Sequence, residues 1–283
     1  MRTLKRAVAL IRLLRPINGV MMLVALFVGF VFSSRLVRVE EAILAMLTAF
    51  SLNSSSNILN DYFDREVDAV NAPQRPIPSG AVTAQQAMAA AILLGVLGES
   101  AAAVTSVPCL LAATVFYALA VSYNAWVKKT GLLGNLFVSV GVAAPFLYAT
   151  IVTDGTVTYK IALLAAIALV ANMGREVVKG ISDIKGDAAR DIQTVARKHG
   201  ERAAACLGAG LYLTAVGLSI VPLWKGYVSI YYVPFMVVTD IGFLQLSWSI
   251  MRGRGRENAL KVKNLTLIWM VTAMVAFLMG GLL

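Results

Sequence analysis

The sequence predicts an all-α membrane protein of nine transmembrane helices. Three observations predict it: charge is scarce, apolar stretches reach spanning length, and Lys and Arg fall on alternate connections. Hydrophobic residues make up 59% of the chain and charged residues 14%, against roughly 45–50% and 25% in a soluble domain. A water-exposed surface needs more charge than this, so most of the surface is expected to face lipid. The charges are also clumped, and the apolar runs between the clumps match the roughly 20 residues a helix needs to cross a bilayer.

Taken in order, the expected spans are about 16–34, 42–60, 83–101, 107–127, 132–152, 160–178, 203–223, 227–250 and 264–283. Arg2, Lys5, Arg6, Arg12 and Arg15 precede the first run. That run is longer than the apolar core of a signal peptide, and no small-residue cleavage site stands out before Arg35, so it reads as a retained first helix. The second span ends in a polar tail, Ser54-Ser55-Ser56-Asn57 and Asn60. Thr83 with Gln86 forms a capping box at the start of the third. Pro108 suits the first turn of the fourth.

The connections set the orientation. With the N-terminus in the cytoplasm and alternating sides, 21 of the 25 Lys and Arg fall inside; the outside segments hold Arg35, Arg38, Lys160 and Lys225. Eight or ten spans would scramble this split. The net charge of +10 then faces an anionic leaflet, and nucleic-acid binding is a poor reading of it. No obligatory protein partner is inferred. Cys109 and Cys206 are far apart in apolar runs and read as buried core residues rather than a disulfide. His199, with no second histidine, reads as a solvated loop residue. The chain is taken as one domain, 1–283, with two long inside segments, about 61–82 and 179–202, that are expected to carry function.

Both segments carry aspartates. The first motif reads Asn60-Asp61-Tyr62-Phe63-Asp64-Arg65-Glu66-Val67-Asp68, and Asn60, Asp64 and Asp68 share the spacing i, i+4, i+8. The second places Asp183, Asp187 and Asp191 at the same spacing. On a helix each set forms one stripe. Like charges at i, i+4 oppose helix formation by a few tenths of a kcal/mol per pair, roughly, so two such stripes in a charge-poor chain need a reason. A solvated interfacial face is the bland reading. Hard cations give a sharper one, because magnesium takes carboxylate oxygens and associates with substrate phosphates. Two facing stripes suit two magnesium ions with a diphosphate between them, and Asn60 fits as a neutral oxygen ligand beside Asp64.

Basic residues near the stripes suit the same anion. Arg75 lies in the proline-stiffened segment Pro73-Gln74-Arg75-Pro76-Ile77-Pro78-Ser79-Gly80. Lys128 follows Tyr123 at the inner end of the fourth span, and Arg175 and Lys179 lie one turn apart at the end of the sixth. Each taken alone reads equally as a membrane anchor, and Lys129, Lys185 and Arg190 are left as anchors. Asp240 is isolated in the eighth span, where a charge is costly and a functional role or an inter-helix partner is the default expectation.

With Asn60-Asp61-x2-Asp64-x3-Asp68, Tyr123-x4-Lys128 and Asp183-x3-Asp187 in place, the chain resembles the UbiA superfamily of intramembrane prenyltransferases over its whole length. The resemblance implies a helical bundle around a central cavity that opens sideways to lipid. It also implies two magnesium ions held by Asn60, Asp64, Asp68, Asp183 and Asp187, with Asp61 and Asp191 at further motif positions. Asp191 departs from the pattern, since relatives often carry a small residue there. The stretch 60–80 is similar to the ether-lipid branch and to the chlorophyll branch of the family; Gly174–Asp187 is closer to the ether-lipid branch, which implies an archaeal source.

Members of that branch move a geranylgeranyl group from geranylgeranyl diphosphate to the free hydroxyl of geranylgeranylglyceryl phosphate, a lipid-phosphate acceptor. The expected roles follow. Asp64 and Asp187 sit at the heart of the metal site. Lys128, Arg75, Arg175 and Lys179 hold the diphosphate or phosphate, and Tyr123 orients the head group or shields an allylic carbocation. Three other classes are weighed. An aromatic acceptor would leave the fold and diphosphate site unchanged. An ion-coupled transporter fits Asp240 alone among the acids. A CDP-alcohol phosphotransferase needs an Asp-Gly-x2-Ala-Arg signature that neither segment contains.

Overall fold

A computed structural model of the chain describes residues 9–189 and 191–282. The expected anchors Arg2, Lys5, Arg6 and Arg190 lie outside the described residues, as does the side chain of Lys185. Among the described residues there are helices and turns and no strand.

The long helices are α1 (Pro16–Val31), α2 (Val39–Phe63), α4 (Ala84–Thr105), α5 (Val107–Ala125), α6 (Leu132–Asp154), α7 (Tyr159–Ser182), α9 (Val195–Ser219), α11 (Tyr232–Arg252) and α12 (Arg256–Leu282). Short helices α3 (Arg65–Asn71), α8 (Ile184–Ala189) and α10 (Val221–Trp224) and a 3-10 turn (Val127–Thr130) join them. Eight of the helices, with α9 and α10 taken together, are long and apolar enough to cross a membrane; α1 is apolar but has 16 residues, about 24 Å of helix against roughly 30 Å of hydrocarbon. The protein is therefore a multi-pass membrane protein.

Local chemistry explains the boundaries. Pro16 opens α1 with its φ already set. Thr83 accepts from the Gln86 backbone while the Gln86 side chain accepts from the Thr83 backbone, the expected capping box. Ser106, Thr158 and Thr194 cap α5, α7 and α9 with the side-chain half of that arrangement alone, each hydroxyl accepting from the backbone N–H three residues on. At the far end Glu41 accepts two bonds from Arg35, at 2.9 and 2.8 Å, and two from Arg38, one from its backbone N–H and one from its guanidinium. This ties the α1–α2 turn to the start of α2.

Several expected boundaries are corrected. Helix α9 begins at Val195, kinks at Gly200 and breaks at Ile220, rather than running 203–223. Helix α11 begins at Tyr232 rather than 227. Helix α12 begins at Arg256, well before 264. Before α11 the largely apolar residues 227–231 form a turn instead. For α9 and α12, hydropathy finds where charges stop, but backbone hydrogen bonds carry the helix past that point. For the same reason the segments 61–82 and 179–202 are not loops throughout: α3 and α8 occupy part of each.

The helices pack as a ring. Helix α2 packs on α4 and α5, α5 on α6, α6 on α7, α7 on α9 and α12, α9 on α11, and α11 on α12; α1 closes the ring against α2, α6 and α12. Lipid is as apolar as the side chains, so close packing rather than hydrophobic transfer holds such helices together. Glycines make the closest approaches. A Cβ on Gly29 of α1 would lie 2.4 Å from Ala149 Cβ of α6, and one on Gly208 of α9 would lie 2.6 Å from Val178 of α7. Outward faces are apolar and exposed, as at Leu93 (69%), Val104 (73%) and Leu111 (62%). Inside the ring lies a cavity of about 610 Å³, lined by α1, α2, α5, α6, α7, α9, α11 and α12.

Candidate active site

The ring of helices brings both aspartate motifs to one end of the cavity. Helix α2 stops at Phe63, and Asp64 (φ −89°, ψ −1°) joins it to α3. The hydrogen bonds Asp64 N to Asn60 O (3.0 Å) and Asp68 N to Asp64 O (2.8 Å) run straight through this joint. Asn60, Asp64 and Asp68 therefore keep their expected stripe, bent at its middle. Asp183 makes the same joint between α7 and α8, with Asp187 N bonded to Asp183 O at 2.8 Å. Asp191 does not continue that stripe. It lies beyond α8 with φ 51°, its side chain is 82% exposed, and it accepts from Gln193 Nε2. The helical spacing expected for it is corrected: the chain has already turned out of the helix.

The first motif is buried, with Asp61, Asp64 and Asp68 at 6%, 8% and 1% exposure. A buried carboxylate needs partners, and each has a cation. Lys128 Nζ donates to Asp64. Arg75 Nη1 donates to Asp68 and lies 3.6 Å from Asp61. Arg15 Nη2 donates to Asp61 and, at 3.2 Å, to Asn60 Oδ1. The proline-rich segment thus directs the Arg75 guanidinium onto the motif, as expected.

The second motif is less enclosed. Asp183 is half-buried and accepts from Ser182 Oγ at 2.9 Å. The Asp187 carbonyl accepts from Arg197 Nη1 and from Ile192 N. Gln193 N donates to Lys129 O at 2.9 Å, which docks the second motif's segment beside Lys128. Gly180 faces the next residue, Thr194, and Gly131 faces Gln193 itself. Gly131 has φ 72°, and a Cβ there would sit 1.9 Å from Gln193 O.

Arg175 and Lys179 both hold Glu176, at 2.6 and 3.0 Å, and all three line the cavity. Tyr123 lines it too, and the charges of Lys179, Glu176, Asp64 and Asp187 all reach it. Arg175 and Lys179 thus line the cavity on Glu176, Lys128 and Arg75 are bound to the aspartates at its rim, and Arg15 does both, lining the cavity while it donates to Asp61. Below this head the wall turns apolar, with Met22, Leu52, Phe137, Phe146, Phe243 and Phe277. Asp240 also lines the wall and accepts from Ser219 Oγ at 2.8 Å, the inter-helix partner expected for it.

Sequence reasoning missed three residues here. Arg15 was grouped with the basic N-terminal flank; its place directly before Pro16 is the available signal. Glu176 stood unremarked between two expected site cations. Asn124, an amide in an otherwise apolar stretch, follows Tyr123 directly; it accepts from Asn60 Nδ2 at 3.0 Å.

The donor set suits a hard divalent cation. Among the described residues no three His, Cys, Asp or Glu side chains close around one point, so there is no protein-only cage. Magnesium does not need one: it takes one or two carboxylates and fills its shell with water and substrate phosphate. The oxygens of Asn60, Asp61, Asp64 and Asp68 are of the right kind, and Arg15, Arg75 and Lys128 already gather them at one place.

Comparison with known proteins gives this geometry its setting. The sequence profile of the UbiA prenyltransferase family matches residues 21–279. The digeranylgeranylglyceryl phosphate synthase of Archaeoglobus fulgidus is 37% identical to the chain, covering 99% of it and 98% of that protein. A solved structure of a digeranylgeranylglyceryl phosphate synthase in membranes superposes with a TM-score of 0.82 at 24% identity, covering 98% of each chain. A UbiA homolog from Archaeoglobus fulgidus solved with GPP and Mg2+ has the same fold, with a TM-score of 0.70 at 16% identity, covering 95% of this chain and 99% of that one. An apolar cavity headed by two aspartate motifs and a cation cluster, in a chain matched from end to end, makes this protein a member of the UbiA prenyltransferase family.

Proposed function

We propose that the chain is a magnesium-dependent digeranylgeranylglyceryl phosphate synthase, acting as a single domain over residues 1–283. It moves a geranylgeranyl group from geranylgeranyl diphosphate to the free hydroxyl of geranylgeranylglyceryl phosphate and releases diphosphate. The observation that carries this is the position of Tyr123. It lines the head of an apolar cavity together with Arg175, Glu176 and Lys179, in the electrostatic field of one aspartate from each motif. The 37% identity over the full chain supports the acceptor.

In this reading Asn60, Asp64, Asp68, Asp183 and Asp187 hold magnesium, with Asp61 beside them and Asp191, exposed as it is, a weak further ligand. The ions neutralise charge on the diphosphate as it departs. Lys128 and Arg75, already fixed on the aspartates, add fixed positive charge at the leaving group. Arg175 and Lys179 face the cavity and take the acceptor's phosphate or the diphosphate. The apolar wall takes the prenyl tail and excludes water from the allylic centre. As the C1–O bond breaks, the acceptor hydroxyl oxygen forms the new bond to C1, and its proton leaves with the diphosphate. The ring of Tyr123 shields the cation at C1. The site faces the cytoplasm; the gathering of 21 of 25 Lys and Arg on that side supports this.

The test is an incubation of purified protein with magnesium, labelled geranylgeranyl diphosphate and geranylgeranylglyceryl phosphate, with Asp64→Ala and Asp187→Ala alongside. A magnesium-dependent di-ether phosphate that both variants lose is the expected result. Prenylation of 4-hydroxybenzoate instead would replace the acceptor and keep the site. Variants as active as wild type would sink the two-motif site.

A further inference from the structure

We infer that Asn124 is a positioning residue for the metal site: it fixes the Asn60 carboxamide so that its oxygen, not its nitrogen, is presented as a ligand. This rests on the magnesium site proposed above. An Asn carboxamide has two ends of nearly the same shape, and one of them can bind a cation. A metal site that uses Asn therefore needs something to decide which end points inward.

Here the decision starts from a backbone group that cannot turn around. Asn124 is 2% exposed. Its Nδ2 donates to the Ser56 carbonyl oxygen at 3.0 Å and lies 3.2 Å from Ser56 Oγ. A carbonyl can only accept, so the nitrogen of Asn124 must lie on that side and its Oδ1 must face Asn60. That oxygen accepts from Asn60 Nδ2 at 3.0 Å. Asn60 Oδ1 is left on the opposite side, where Arg15 Nη2 donates to it at 3.2 Å and also to Asp61 Oδ1. A guanidinium can only donate, so the assignment agrees from both ends. The chain of bonds runs from a carbonyl of α2, through a side chain of α5, back to α2 one turn later. Both amides line the cavity beside Tyr123.

A rival role is plain adhesion, since an Asn hydrogen-bonded between two membrane helices also holds them together. The two roles separate in one experiment. Mn2+ alone is titrated against the purified full-length protein and bound ion is read by electron paramagnetic resonance, for wild type, Asn60→Ala, Asn124→Leu and the double variant Asn60→Asp/Asn124→Leu. Asn124→Ala runs beside the leucine in case leucine does not fit between α2 and α5. A carboxylate at position 60 presents oxygen at both ends and needs no orienting partner.

The expected result is a roughly 10–100-fold weaker Mn2+ affinity in Asn60→Ala and in the Asn124 variant, the range for loss of an outer-shell partner. Affinity should recover toward wild type in the double variant. Unchanged affinity in Asn60→Ala would mean that Asn60 is not a ligand, and the site proposal itself would need revision. Weakening in Asn60→Ala but not in either Asn124 variant would overturn the positioning role and leave the site standing. Weakening in Asn124→Leu with no recovery in the double variant would assign Asn124 to adhesion and overturn the inference as well.

Discussion

At the scale of single residues, the candidate site is a set of carboxylates that already have cations. Lys128 on Asp64 is one of these pairs. Replacing Lys128 by Ala removes one fixed charge from the leaving group and leaves Asp64 buried without it. Turnover is expected to fall roughly 10²-fold, the usual loss on removing one such stabilising group, with single-turnover rates as the measure. Arg15 differs because Asp61 keeps Arg75 at 3.6 Å when it is gone. Hydrogen bonds to charged groups contribute about 1.5–3 kcal/mol. Arg15→Ala should therefore raise KM for the prenyl diphosphate by roughly 10- to 100-fold. A rise in KM for the acceptor alone would count against a place at the diphosphate. The aspartates and Lys128 were legible in the sequence because spacing along one helix reveals them. Arg15, Glu176 and Asn124 were not, because their meaning lies in partners on other helices.

At the scale of elements, the joints at Asp64 and Asp183 let one helix end and another begin while the four-residue hydrogen bonds continue. This is why a helical spacing rule worked in segments that looked like loops. Gly131 links the two motifs: it lets the backbone of the second segment approach Lys129. Gly155 has nearly the same φ, 71°, but nothing within 4 Å of a built Cβ. Ala at Gly155 (ψ −1°) meets the left-handed penalty of about 1–2 kcal/mol, whereas Gly131 (ψ −108°) holds a conformation that glycine alone adopts readily. Gly131→Ala adds a clash with Gln193 O. Thermal unfolding in detergent should show the larger drop in Tm for Gly131→Ala, and activity should fall in it and hold in Gly155→Ala. Equal effects would mean that the Gly131 contact does not hold the second motif. The kink at Gly200 and the early start of α12 were not legible, since neither changes the apolar pattern that marks a span.

At the scale of the whole molecule, the orientation proposed from charge can be tested chemically. In a variant lacking Cys109 and Cys206, a single cysteine is placed at His199 or at Lys225, both exposed. A membrane-impermeant maleimide should label position 199 in inverted vesicles and position 225 in right-side-out vesicles; the reverse pattern would turn the protein over. Metal removal tests the site as a unit. Chelation should bring prenyl transfer to background, magnesium should restore it, and magnesium with diphosphate should raise Tm by mass action. Activity that survives chelation would count against the metal reading.

Composition and periodicity by themselves determined the membrane class, the clustering of charge between the spans and the spacing of both aspartate motifs. These are local properties, and a helix displays them along its own length. The tertiary structure decided what no single helix contains. It set which cations face the cavity and which are bound to aspartates, and it turned Asp191 out of its stripe. It also brought Asn124 of α5 against Asn60 of α2. The physical reason is that a hydrogen bond between helices depends on their rotation and depth in the bundle, and close packing at residues such as Gly29 and Gly208 fixes both.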